Sequence, residues 1–267
     1  MKKQFKLGII GCGFIATTIL RGVVLSDFLR EKKIIVSDIN EDKLNSVDYL
    51  GVNTCQDNRF VAENSEYLII AVKSKNFDEV AKSIEGIRPE KVISVMMGIT
   101  KNYIKNALGV GLIKVARCVP NMPCSIGSGA IGIDMADFNK SNADTDFISN
   151  IFNRLGTVVS MEESKLDAVT ALNCNVSHAL MFIDSLLDAG VKLGLSKNEA
   201  KIFAAQSVFG ITEMVLMEEK SIDELVAQNC EGGTFALETV KALDECNFRK
   251  EIFQAVEASY RRLSEQK

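Results

Sequence analysis

The nine residues "GIIGCGFIA" (8–16) constrain this chain more than any other stretch. Gly11-x-Gly13-x-x-Ala16 follows an apolar run, "KLGIIG" (6–11), and opens a helical pattern. Gly11 permits a tight turn, Gly13 removes a Cβ so that the backbone can approach a pyrophosphate, and Ala16 lets helix and strand pack closely. The first N–H groups of the helix, around Phe14 and Ile15, lack intrahelical acceptors and attract a phosphate. An acidic residue, Asp38, ends the next apolar run 22 residues after Ala16, which is the spacing of a ribose-binding carboxylate. Alone, the pattern equally describes a glycine-rich turn with Asp38 as a turn cap. Its place in the first βαβ unit favours a dinucleotide site. A carboxylate at 38 accepts hydrogen bonds from ribose hydroxyls and repels a 2′-phosphate. No arginine stands beside it, and Lys43 is the nearest cation. The expected cofactor is NADH or NADPH, with NADH favoured.

The texture of the chain places that turn in a larger frame. Apolar runs at 6–11, 34–38, 67–72, 91–96, 111–119 and 129–135 read as strands, with helical segments at 14–28, 41–48, 76–85 and 100–107. Nearly continuous apolar strands separated by helices predict buried parallel strands. Beyond 163 prolines vanish and apolar residues recur at helical spacing, as in Leu186, Leu187, Ala189, Gly190 and Leu193. The expected fold is α/β: a Rossmann dinucleotide-binding domain over 1–160, then an all-helical domain over 161–267.

Composition excludes several classes. A net charge of −4 without a basic run gives no nucleic-acid surface. No apolar run reaches transmembrane length, so no membrane partner is expected. The basic start "MKKQFKLGIIGCGFIA" is better explained by the glycine turn than by a signal peptide. Seven cysteines without a C-x-x-C pair read as reduced thiols of a cytoplasmic protein. With one histidine, no metal site is expected.

The glycine turn, the string "IKVARCVPNMPCSIGSGAIGI" (113–133) and the C-terminal run together resemble the pyrroline-5-carboxylate reductase family over essentially the whole chain. Arg117, Pro120, Asn121 and Pro123, followed by Gly127 and Gly129, carry the most specific part. Further matches are Ala71-Val72-Lys73, "ISVMMGIT" (93–100), "ESKLDAVTAL" (163–172), "DAGVKLGLS" (188–196), "EGGTF" (231–235) and the tail 248–265. The resemblance implies hydride transfer from a reduced nicotinamide to the C=N carbon of a cyclic imino acid. It also implies a homodimer or higher homo-oligomer, with the substrate at the dimer interface. Cofactor contacts are thereby expected at Ala71, Val72, Lys73 and Asn121, besides the glycine turn. The chemistry asks little of the protein: an iminium is already electrophilic, and the cofactor brings the hydride. What remains is to orient two rings and bind a carboxylate, which loops rich in N–H and hydroxyl groups can do.

Departures from the family pattern concentrate in the two substrate loops. Where the family has Ser-Gly-x-Gly-Pro-Ala-Tyr this chain has "NCNVSH" (173–178). Where it has Ser-Pro-Gly-Gly-Thr-Thr the chain has Cys230-Glu231-Gly232-Gly233-Thr234-Phe235. Ser74 replaces a proline and Met97 an alanine. The candidate catalytic residues are Thr234, Asn175 and Ser177; the candidate substrate-binding residues are Asn173, Gly232, Gly233 and His178. Each has a plainer reading: Asn173 and Ser177 as helix caps, His178 as a structural residue, Cys174 and Cys230 as small hydrophobes. Two functions follow. One is reduction of 1-pyrroline-5-carboxylate to L-proline, or of a close analogue. The other is a weak or inactive relative that binds a dinucleotide as a sensor or partner, since Glu231 repels an anionic substrate. Reduction of open-chain hydroxy-acid precursors is disfavoured. Lys165 and His178 could supply its acid, but no matching motif surrounds them.

Overall fold

The computed structural model describes residues 3–109, 112–173, 176–232 and 235–265. In chain order its first elements are β1 (Phe5–Ile10), α1 (Phe14–Leu25), β2 (Ile34–Ser37), α2 (Glu41–Asn45), β3 (Asn53–Cys55), α3 (Asn58–Asn64), β4 (Ser65–Ile70), α4 (Phe77–Ser83), β5 (Lys91–Ser94) and α5 (Lys101–Ala107). Then follow β6 (Lys114–Val119), β7 (Gly129–Asp134), α6 (Asn142–Phe152), β8 (Gly156–Ser160) and α7 (Leu166–Asn173). The last are α8 (Val176–Lys192), α9 (Lys197–Met217), α10 (Ile222–Cys230), α11 (Phe235–Glu245) and α12 (Phe248–Ser264).

Eight strands form one sheet in the order β3-β2-β1-β4-β5-β6-β7-β8. The first six are parallel. Alternate side chains of each strand feed opposite faces. Leu7, Ile9, Tyr67 and Ile69 meet Ile19 and Leu20 of α1 and Ile148 and Phe152 of α6. Ile10, Leu68 and Ile70 meet Val61 of α3, Phe77 of α4 and Ile104 of α5. The strands flanking β1 are β2 on one side and β4 on the other. In an open α/β sheet that reversal leaves a crevice at the carboxyl ends of the strands.

Every expected strand and helix of the first 160 residues is present, and four elements are additional: β3, α3, α6 and β8. All four are short or lack a clean period. The caps Asp57, which accepts from Phe60 N–H, and Ser141, which accepts from Asp144 N–H, are the local signals for α3 and α6. One expectation fails. β7 runs antiparallel to β6, because the nine-residue connection between them is too short for a parallel crossover.

Contacts divide the chain into one compact unit of Met1–Cys174 with Tyr260–Lys267, and a second of Asn175–Ser259. The texture change near 160 lies earlier because α7, helical in pattern, packs on the sheet. Leu166, Thr170 and Ala171 are buried, and a Cβ added at Gly132 of β7 would lie 3.1 Å from both Leu166 and Val169.

The second unit is helical. Capping boxes at Ser196/Glu199 and Ser221/Glu224 start α9 and α10. Its helices leave much apolar surface uncovered: Leu180, Met181, Phe203, Phe209, Ile211 and Leu216 are all exposed. The expectation that no apolar stretch reaches membrane-spanning length is corrected here. α9 has 21 residues and contains an 18-residue stretch with a mean hydropathy of 1.3, which is long and apolar enough by length and composition alone.

At the amino ends of the strands, buried Asp144 accepts from Lys91 Nζ at 2.7 Å and from the Tyr67 hydroxyl. Tyr67 stacks on Phe147 at 4.1 Å. Burial opposes ionisation of Asp144, but the bonds from Lys91, Tyr67 and Ser141 outweigh it and hold the carboxyl at about 2. A depressed carboxyl stabilises the fold above its unfolded value and loses that contribution as pH falls through the folded one. The stability gap between the native protein and Asp144→Asn, followed by urea unfolding, is therefore expected to be flat above about pH 5 and to shrink by about 2 kcal/mol toward pH 2. A gap independent of pH would remove Asp144 from this role.

Candidate active site

The turn after β1 is built as the glycine pattern demands. Gly11 has φ 96°, a left-handed value that favours glycine. Its N–H donates to the Ser37 carbonyl at 2.7 Å, tying the turn to β2. An added Cβ at Gly11 would lie 2.8 Å from the Ala71 carbonyl oxygen, so this glycine admits β4. Gly13 is different. It is the N-cap of α1, at φ −86°, and an added Cβ would meet no protein atom within 4 Å. The space it keeps free lies outside the protein's own packing. Ala16 is fully buried.

Asp38 directly follows β2 and closes the turn. Its Oδ2 accepts from Cys12 N–H at 2.8 Å and its Oδ1 from Asn40 N–H at 2.9 Å. Lys43 Nζ lies 3.3 Å from Oδ2. Burial pushes the carboxyl upward, but the Cys12 and Asn40 amides and Lys43 prevail and set it below the usual carboxylate value. Asp38 is therefore ionised at neutral pH. Three donors occupy a group with roughly four acceptor positions, which leaves room for a ribose hydroxyl.

A cleft of about 500 Å³ gathers Gly11, Gly13, Asp38, Ala71, Val72 and Lys73. Phe14 is exposed on the first turn of α1, beside half-buried Ile15. Sequence reasoning missed Asn58, Lys75 and Ser83 in the same lining. Asn58 accepts from the Ser37 hydroxyl at 2.8 Å and donates to Ser83 Oγ at 3.1 Å. Only recognition of α3, which Asn58 begins, would have brought it forward. A second cavity of about 690 Å³ includes Lys73, Ser74, Met97 and Thr100. The Ser74 hydroxyl donates to the Met97 carbonyl, so two of the positions that depart from the family pattern are bonded to each other.

A buried charge network lies beside this end of the sheet. Arg117 of β6, 1 % exposed, donates to Asp167 of α7 at 2.6 Å and lies 3.6 Å from Glu163. Glu163 also accepts from Lys101 N–H at 2.6 Å, and its own N–H donates to Asp134 at 2.9 Å. Lys101 Nζ pairs in turn with Asp134.

Asn121 and Asn173, the two candidate asparagines that the structure describes in the first unit, do not line the first cleft. Both bond to Ala130 of β7: Asn121 Oδ1 accepts its N–H at 3.0 Å, and Asn173 Nδ2 donates to its carbonyl at 2.6 Å. In the second unit Ser177 is exposed and His178 half-buried in the first turn of α8. Gly232 is exposed at φ 75° after α10, next to exposed Glu231. Asn175, Gly233 and Thr234 lie outside the described residues, as does Cys174.

The fit to a nicotinamide dinucleotide rests on the open approach at Gly13, the unpaired N–H groups that begin α1, and the ionised carboxylate one strand away. These features define a dinucleotide-dependent oxidoreductase. In agreement, residues 6–98 match a family model described as NADP oxidoreductase, coenzyme F420-dependent. Residues 163–266 match one described as pyrroline-5-carboxylate reductase dimerisation. A pyrroline-5-carboxylate reductase of Synechocystis is 31% identical over 272 residues, covering 98% of both chains. Among solved structures, the pyrroline-5-carboxylate reductase of Coxiella burnetii superposes with a TM-score of 0.86 at 26% identity, covering 99% of this chain and 98% of the other. The Plasmodium falciparum pyrroline carboxylate reductase, solved with NADP bound, shares the fold at a TM-score of 0.86, 24% identity and 98% coverage of each chain. The chain belongs to the pyrroline-5-carboxylate reductase family.

Gly13 separates folding from cofactor binding. Gly13→Ala adds a methyl group that meets no protein atom, at an allowed φ; the entropy removed from the unfolded chain and the poorer N-cap oppose each other, so stability is expected to stay within about 1 kcal/mol. Dinucleotide affinity, measured by fluorescence titration, is expected to fall about tenfold or more, the worth of one charge-assisted hydrogen bond. Unchanged affinity would place the pyrophosphate elsewhere.

Proposed function

We propose that this chain reduces 1-pyrroline-5-carboxylate, or a closely related cyclic imino acid, to the corresponding secondary amino acid, L-proline in the first case. The observation that carries this reading is the 98% mutual coverage of a named reductase, together with a dinucleotide turn whose Gly13 approach is open. The nicotinamide, when bound, supplies the hydride for the imine carbon. The chain's own residues bind and orient. Phe14 and Ile15 present α1 N–H groups to the pyrophosphate, Ala71, Val72 and Lys73 border the cofactor, and Asn121, in the turn after β6, is given a cofactor-side role by the family pattern alone. Gly232, Gly233 and Thr234 receive the substrate carboxylate through N–H groups and one hydroxyl. Asn175 and Ser177 supply further donors, with Asn173 and His178 flanking them. The ring nitrogen enters already protonated and keeps its proton as the amine.

NADH is the favoured cofactor in this reading, because Asp38 is ionised and retains acceptor capacity for a ribose hydroxyl. The working assembly is a homodimer. The exposed apolar faces of α8 and α9 lie within the stretch matched by a dimerisation family, and a second copy covers such faces at less cost than water does. The cysteine pattern fits a reducing, cytoplasmic compartment.

Steady-state oxidation of NADH with a panel of cyclic imino acids is expected to show turnover, greatest with five-membered rings. NADH binding without turnover of any imine would leave a dinucleotide-binding protein without this activity. Thr234→Val is expected to raise KM for the best imine about ten- to a hundredfold, with NADH affinity nearly unchanged; an unchanged KM would remove the 231–235 loop from the substrate site. In cofactor titrations NADH is expected to bind more tightly than NADPH, and Asp38→Ser with Ile39→Arg to shift the preference toward NADPH. Tighter NADPH binding by the unaltered protein would contradict the role given to Asp38.

A further inference from the structure

At the carboxyl ends of the strands two connections run side by side, one leaving β4 and the other leaving β5. The ladder between these strands ends where Val95 N–H donates to the Ile70 carbonyl at 3.3 Å. Beyond it, Ala71 N–H turns to the Ile10 carbonyl of β1 at 2.9 Å, and the connections separate. The far end of the second is secured at α5. Thr100 caps that helix by accepting from Tyr103 N–H, and Lys101 N–H donates to Glu163. Between the ladder and the cap the chain bends at Gly98, φ 73°. Just before this bend the Ser74 hydroxyl donates to the Met97 carbonyl and joins the two connections. Ser74 opens a 3₁₀ turn, Ser74–Asn76, and follows Lys73 at φ −62° and ψ 139°. A proline fits the first position of such a turn after an extended residue, and the family pattern has one there. Serine gives up the fixed φ and holds the turn through the neighbouring connection instead.

This bond sits in a wall shared by two cavities. Lys73 and Lys75, on either side of Ser74, line both the cleft of Gly11, Gly13 and Asp38 and the cavity of Met97 and Thr100. The strand order β2-β1-β4-β5 sets these features in a row. With a ribose at Asp38, after β2, and the pyrophosphate at Gly13, after β1, the second half of a dinucleotide extends past β4 toward β5. We propose that Ser74 is a positioning residue for that second half: its hydroxyl fixes the shared wall against the 97–100 segment, so that the nicotinamide end meets a preformed surface. Such preorganisation raises affinity by sparing the cost of ordering a loop on binding. The inference rests on the dinucleotide reading of the first cleft.

Two ligands separate the halves. ADP reaches only the ribose and pyrophosphate positions, whereas NADH reaches both cavities. Ser74 is half-buried in a surface turn, so its alanine variant is expected to fold. In calorimetric titrations Ser74→Ala is expected to weaken NADH binding about three- to tenfold, the worth of one neutral hydrogen bond, and to change ADP affinity less than about twofold. Ser74→Thr, which keeps a hydroxyl, is expected to restore most of the NADH affinity. The acceptor is a backbone carbonyl, so Met97→Ala leaves the bond in place, and Ser74→Ala is expected to cost as much in that background. Equal losses for ADP and NADH would mean that Ser74 supports the first cleft as a whole and would overturn the proposal. Unchanged NADH affinity in Ser74→Ala, no recovery with threonine, or a smaller loss in the Met97→Ala background would overturn it too. Failure of the underlying reading looks different: the unaltered protein would then bind neither ADP nor either nicotinamide dinucleotide.

Discussion

A guanidinium buried to 1 % exposure must be paired, and the pairing of Arg117 organises the far half of the sheet. Removing one partner of such a buried pair costs about 3–5 kcal/mol, because a charge is left behind without water or counterion. Arg117 takes Asp167 from α7 and lies beside Glu163. Glu163 is held by Lys101 and Asp134, and those two are paired with each other. β6, β7, α5 and α7 are thus joined by one set of charges. The consequence for chain organisation is direct: α7, which reads by pattern as the first helix of the helical domain, is fastened to the sheet. Its last residue, Asn173, donates its side-chain amide to the Ala130 carbonyl of β7.

The opposite side of the sheet uses a carboxylate for a similar purpose. Asp38 holds Cys12 N–H and so sets the shape of the glycine turn, while Lys43 balances its charge. A residue read from sequence as a ribose ligand is first a brace for the glycine turn. The two roles are compatible because a carboxylate has more acceptor positions than the turn uses. They also explain why Asp38 stays ionised although partly buried: backbone donors and one cation outweigh the desolvation.

What was legible in the sequence follows from how strongly each feature is written in local chemistry. The glycine turn, the long apolar strands and the capped helices announce themselves through spacing. The family string around Arg117 and Asn121 is specific enough to place the chain among its relatives. β3, α3, α6 and β8 are too short or too irregular in period to read, and the reversal of β7 is a property of a connection rather than of any residue. Partnerships across the chain were out of reach. Nothing near residue 173 says that its amide meets residue 130, and nothing near residue 74 says that its hydroxyl meets the carbonyl of residue 97. Of the candidate substrate residues, Asn175, Gly233 and Thr234 lie outside the described residues.

Although the stretches 173–178 and 230–235 depart from the family pattern, the reaction remains hydride transfer to the C=N carbon of a cyclic imino acid. Single-turnover reaction with NADH deuterated at the transferred C4 position tests it most directly, with the amino acid product analysed by mass spectrometry. With 1-pyrroline-5-carboxylate the expected product is proline carrying one deuterium at the former imine carbon. Stoichiometric NADH binding with no deuterated product from this or any related cyclic imine would contradict it.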